Sequence, residues 1–140
     1  MNWIWAIIII AGYILYRFIQ DVKKDEQDLS NETMLEKFSV IVQRINEVEC
    51  KDQGDVLIES ARDFNLYKEG DNQIFLFNYG TGHLTIWGKY KYFHKEMVFE
   101  KTFYDVRNIS TIQQHNIADA FIVEYEQKKL EHQKEVLRGR

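Results

Sequence analysis

The chain has 140 residues, a net charge of −4, 45% hydrophobic and 29% charged residues, a single cysteine and no proline. That is enough for one modest domain. It excludes an internal disulfide, a cysteine-built zinc site and proline-rich ligand motifs or linkers, and the acidic balance argues against nucleic acid as a partner.

Residues 3–16 form an uncharged and almost wholly apolar run. Phe18 and Ile19 extend it past Arg17, whose stem can lie in lipid while its guanidinium reaches the headgroups. A helix over residues 1–19 rises about 28 Å, close to a bilayer core of about 30 Å. Trp3 and Trp5 at one end, with Tyr13 and Tyr16 at the other, match the aromatic belts of a spanning helix. The run lacks the basic n-region and the Ala-x-Ala site of a cleaved secretory signal. Residues 1–19 are therefore expected to be a single-pass transmembrane signal-anchor. Arg17, Lys23 and Lys24 follow the strictly apolar run and no basic side chain precedes it, which by the positive-inside rule predicts a cytoplasmic C-terminal domain.

Residues 20–30 are a charged stalk, and residues 31–140 form the expected domain. Ser30 and Asn31 are candidate helix caps. Leu35, Phe38, Val42, Ile45 and Val48 then recur at spacings of three and four, the stripe of an amphipathic helix. Residues 55–66 are ambiguous. A short helix presenting Leu57, Ala61 and Phe64 is favoured slightly over a strand through Val56 and Ile58.

After residue 72 the period changes to two, and three antiparallel strands are expected over 73–79, 83–92 and 97–104. Turning about Thr81 sets Tyr79 opposite His83, Phe77 opposite Thr85 and Phe75 opposite Trp87. Turning about His94 and Lys95 sets Tyr90 opposite Phe99 and Lys89 opposite Glu100. Ile74, Leu76, Leu84, Ile86, Tyr90, Met97, Phe99 and Phe103 then share a core face. The other face groups Phe75, Phe77, Trp87 and Tyr104 with Lys89 and Lys91. Ser110 and Gln113 form a capping box that opens a long final helix, with a polar tail from about residue 126. The expected fold class is α+β: transmembrane helix, amphipathic helix, short helix or strand, three-stranded meander and long C-terminal helix.

No residue set amounts to a catalytic constellation. His83, His94, His115 and His132 lack the i, i+4 spacing of a helical metal site. The glycines around Thr81 are explained by a hairpin, since no helix follows to present its N-terminus to a phosphate. No metal and no cofactor is expected. The sharpest feature is the second sheet face, where Phe75, Phe77, Trp87, Lys89, Lys91 and Tyr104 form a candidate partner surface with Trp87 at its centre. The expected function is a membrane-tethered, non-catalytic interaction module, an accessory or assembly subunit of a membrane complex. Its partners would be the lipid bilayer through residues 1–19 and a protein or a second copy of the chain. The alternative is a small-ligand or lipid-binding domain at the membrane surface, lined by Tyr90, Tyr92, Phe99 and Phe103.

Overall fold

A computed structural model describes residues 2–31 and 33–139, with side chains described for 3–19 and 33–139. The first helix, α1 (Asn2–Asn31), runs unbroken through the expected boundary between the apolar run and the charged stalk. Every large apolar side chain of residues 3–19 is exposed, with Trp3 at 67% and Ile9 at 68%. The run is apolar on every side of the helix, so no face of it matches the one-sided core of a small domain.

Among the described residues, no helix is long and apolar enough to cross a membrane. The expected transmembrane helix is thus not supported. The apolar stretch of α1 ends at Ile19, and the same helix continues into the charged residues Asp21, Lys23, Lys24, Asp25 and Glu26.

The amphipathic helix is present but divided into α2 (Met34–Lys37) and α3 (Ser39–Glu49), with Phe38 between them at φ −107° and ψ 23°. The cap is Thr33 rather than Ser30 or Asn31; its hydroxyl accepts the Glu36 N–H at 3.2 Å. Met34, Phe38, Ile41, Val42 and Ile45 are buried, whereas Val48 turns to solvent.

The sheet has five strands rather than three: β1 (Asp55–Ile58), β2 (Asp63–Tyr67), β3 (Gln73–Gly80), β4 (His83–Tyr92) and β5 (Lys95–Phe103). They pair antiparallel in chain order. The segment favoured as a short helix is the β1–β2 hairpin instead. The amides of Glu59 and Ser60 both donate to the Asp63 carbonyl across its turn. Tertiary pairing decides the matter, because β2 lies against β3 with Phe64 opposite Phe77 and Leu66 opposite Phe75. The Phe64 and Phe77 rings stack with centroids 4.6 Å apart. A helix over 55–66 would leave those phenylalanines unmatched.

Both later hairpins turn more tightly than expected, through two residues with positive φ. These are Thr81 (52°) with Gly82 (76°), and Phe93 (50°) with His94 (65°). Such mirror-image turns suit the right-handed twist of paired strands. The first turn moves β3 by one residue, so Phe75 stands opposite Gly88, Phe77 opposite Ile86 and Leu76 opposite Trp87. A one-residue slip reverses every side chain. Phe75, Phe77 and Tyr79 therefore face the core, while Ile74 and Leu76 join Trp87 on the open face. The second turn moves β5 by two residues, which preserves its faces but sets Lys89 opposite Val98 and Trp87 opposite Glu100.

Helix α4 (Thr111–Arg138) opens on the expected capping box: Gln113 N–H donates to the Ser110 hydroxyl, and the Gln113 side chain accepts from Ser110 N–H. It continues as helix through the polar tail. Ala118, Phe121, Ile122 and Tyr125 are buried, whereas Ile112 and Val123 are not. Phe121 packs against Phe75 and Phe99 at ring distances of 6.2 and 5.4 Å. Gly88 makes room for Tyr125, since a Cβ there would stand 2.5 Å from the tyrosine ring. Helices α3 and α4 are joined at their surface by Arg44 and Asp119, 3.1 Å apart. One face of the sheet is thus closed by helices, and the other carries no layer among the described residues.

Candidate functional site

Two places on the domain hold side chains whose surroundings a stable core alone does not explain. The first is the open sheet face. Pleating and register place Leu57, Asn65, Leu76, Trp87 and Glu100 in one row across it, with Tyr67, Ile74, Lys89 and Val98 in the next. Trp87 is half-buried against its neighbours, in a shallow depression of about 260 Å3 that it shares with Glu59, Asp63, Asn65, Leu76 and Lys89. Glu59 accepts a hydrogen bond from Asn65 Nδ2 at 3.0 Å, and Asp63 accepts one from Asn78 Nδ2 at 2.6 Å. Solvated antiparallel faces usually carry polar residues. This one carries Trp87, Leu76, Ile74 and Val98.

The surface expected from the sequence is therefore divided. Trp87, Lys89 and Lys91 do share the open face. Phe75 and Phe77 do not: they are fully buried on the other side. Tyr104 follows β5, largely exposed, with its ring 4.6 Å from that of His83. Trp3, Trp5, Tyr13, Tyr16 and Arg17 all lie on α1 and are exposed.

The second place is a buried polar cluster where the end of α3 meets the middle of α4. Glu49 has a side chain only 2% exposed, and its Oε2 lies 3.5 Å from Lys129 Nζ. Its Oε1 has no hydrogen-bond partner among the described residues. Lys129 also pairs with Glu126 at 3.1 Å, and its ammonium lies 5.4 Å from the ring centroids of both Tyr90 and Tyr125. The Tyr125 hydroxyl donates to Gln73 Oε1 at 2.7 Å, and Gln73 Nε2 donates to the Glu49 carbonyl at 2.9 Å. Gln133 Nε2 donates to the Tyr90 hydroxyl at 2.7 Å.

Burial pushes the Glu49 carboxyl up to about 8, and the neighbouring Glu126 adds to the rise against the pull of Lys129. The hydrogen bond with Glu49 holds Glu126 below the usual carboxylate range, although its partial burial opposes this. Burial acts to lower Lys129, but the two carboxylates outweigh it and the ammonium is held above its ordinary value. Burial, reinforced by the charge of Glu49, also raises the Tyr125 phenol. Glu49 is thus kept protonated at neutral pH, the less costly state for a bare buried carboxyl oxygen. The sequence reading missed this cluster. Its trace was present: Phe38, Val42, Ile45 and Glu49 continue one stripe, as do Phe121, Tyr125 and Lys129.

Above this cluster lies a cleft of about 810 Å3, between the loop 68–72 and the β4–β5 turn. Gln73 and Tyr90 belong to both cleft and cluster. The alternative ligand cavity expected between sheet and helices falls on packed side chains, with Tyr90 buried and Phe99 against Phe121. Cys50 is buried and its thiol is raised by burial, which disfavours the reactive thiolate. Among the described residues, no group of histidine, cysteine or acidic side chains is arranged to hold a metal ion. His132 Nε2 meets the Lys95 carbonyl at 2.8 Å and serves to fasten α4 to β5.

No family model, no curated protein and no solved structure matches this chain.

Proposed function

We propose that the protein is a membrane-attached, non-catalytic binding domain, seated in the bilayer by α1 and offering the open sheet face around Trp87 to a protein partner. The observation that carries this reading is the bare apolar surface of α1. A water-soluble chain rarely exposes a contiguous apolar area of more than a few hundred Å2, and here thirteen large apolar side chains between Trp3 and Ile19 are uncovered. Lipid is the environment in which such a helix loses nothing, because its backbone is already hydrogen-bonded within itself. Arg17 can snorkel and the flanking aromatics can sit among the headgroups, which makes up for a length just under the hydrocarbon thickness. The basic residues that follow the run in the sequence favour a domain on the cytoplasmic side.

The open face supplies the second half of the reading. Trp87 offers a large, half-buried ring with Leu76, Ile74 and Val98 around it and Lys89, Lys91 and Glu100 beside it. This is the pattern of an apolar centre with a charged margin. The test is extraction of membranes from cells producing the full chain. Attachment through α1 predicts that the protein stays with the membranes in alkaline carbonate and leaves them only in detergent. Release by carbonate alone would remove the membrane half of the proposal.

A further inference from the structure

The cleft between the loop 68–72 and the β4–β5 turn has the size of a small-molecule site, about 810 Å3 within the usual range of roughly 300–1,000 Å3. Lys89 is the most telling residue of its lining. It is half-buried on the open face, its cross-strand neighbours are Ile74 and Val98, and it makes no ion pair among the described residues. A lysine so placed can bury its stem among apolar neighbours and present its ammonium to an incoming anion. Lys91 lies two residues further along the same face, about 7 Å away. Lys91 stands opposite Glu96. Of the other acids in the lining, Asp71 is engaged by Asn72 N–H and Gln73, and Glu69 is exposed on the loop.

The same cleft holds aromatic surface, with the Phe93 ring edge-on to Tyr92 at a centroid distance of 4.5 Å. Phe93 is 48% exposed at a turn position with φ 50°, where asparagine or glycine would fit without strain. Tyr67 lines the cleft on the side of β2. Gln73 and Tyr90 are held in place from beneath by Tyr125 and Gln133, so the polar part of the lining is preorganised.

We propose that this cleft binds a soluble small molecule that joins a planar ring to an anionic group. The ring lies against Tyr67 and Phe93, and the anion is held by Lys89 and Lys91. A lipid headgroup is the poorer source of that anion. The chain enters the domain at Thr33, where Phe38 packs on Tyr79 at one end of the strands. The cleft lies at the other end of β4, roughly 30 Å away at strand rise.

The test uses the full chain in nanodiscs of neutral lipid, with 1-naphthyl phosphate, 1-naphthol and inorganic phosphate as calorimetric probes. The expected result is one saturable 1-naphthyl phosphate site per chain, bound at least tenfold more tightly than either fragment. The double variant K89Q/K91Q should weaken it tenfold or more, and Phe93→Gly about threefold with an unchanged or higher melting temperature. Unaltered affinity in K89Q/K91Q, equal binding of phosphate alone, or displacement of the probe by anionic vesicles would each overturn the proposal. None of these outcomes bears on whether α1 is seated in lipid.

Discussion

Helices α1 and α4 are nearly equal in length, 30 and 28 residues, yet they meet their surroundings in opposite ways. In α4 the buried apolar residues Ala118, Phe121, Ile122 and Tyr125 lie on the side that faces the domain, and Phe121 and Tyr125 are fully buried. The sheet is shaped for it, down to the missing side chain at Gly88. In α1 the apolar residues surround the axis, and every large one between Trp3 and Ile19 is exposed. The distribution of apolar residues about a helix, more than their number, tells which solvent it is made for.

That contrast can be broken from either side. On the α4 side the largest effect expected is from Phe121→Ala, which should destabilise the domain by about 3–5 kcal/mol in denaturant unfolding. Gly88→Val should cost about 3 kcal/mol, because its Cβ has no space beside Tyr125. On the α1 side, Ile9→Lys should leave domain stability unchanged. It should instead weaken membrane partition by about 3 kcal/mol, roughly a hundredfold, as read by vesicle co-sedimentation. A loss of domain stability in Ile9→Lys would mean that α1 packs on the domain after all.

The buried end of α3 gives a subtler prediction. Glutamate ionises near 4.5 when unfolded and near 8 in the folded Glu49 site. Between those values the folded chain binds the extra proton, so the contribution of Glu49 to stability falls as pH rises through that window and levels off above it. Glu49→Gln should therefore flatten the decline in melting temperature between pH 5 and 8.5. The same slope in variant and parent would show that Glu49 is ionised throughout. The smallest effect on folding is expected from Trp87→Ala, under about 1 kcal/mol. Its consequence should appear as lost association in crosslinked membranes.

Much of this fold could be read from pattern alone. The capping box at Ser110, the stripe through Phe38, Val42 and Ile45, and the change of period after residue 72 each specify a local element. What could not be read depended on neighbours or on a single backbone choice. Residues 55–66 become strands because β3 offers Phe77 and Phe75 to pair with Phe64 and Leu66. Gly80 stays in its strand instead of joining the turn, and that one residue sends Phe75 and Phe77 into the core and brings Leu76 beside Trp87. Of the expected partner surface, Trp87, Lys89 and Lys91 share a face as expected because they alternate along the single strand β4, which a slip of a neighbouring strand cannot divide. The Glu49 cluster was hidden for another reason. A carboxyl on an apolar stripe is recognised only when its lysine and tyrosines arrive from a helix about eighty residues away.

The seating of α1 in lipid is tested most directly by fluorescence of the Trp87→Phe variant, which leaves Trp3 and Trp5 as the two reporters. In vesicles containing brominated lipids their emission should shift to the blue and be strongly quenched, while the domain remains folded. Red-shifted, unquenched emission from the folded protein would contradict a bilayer setting for the helix.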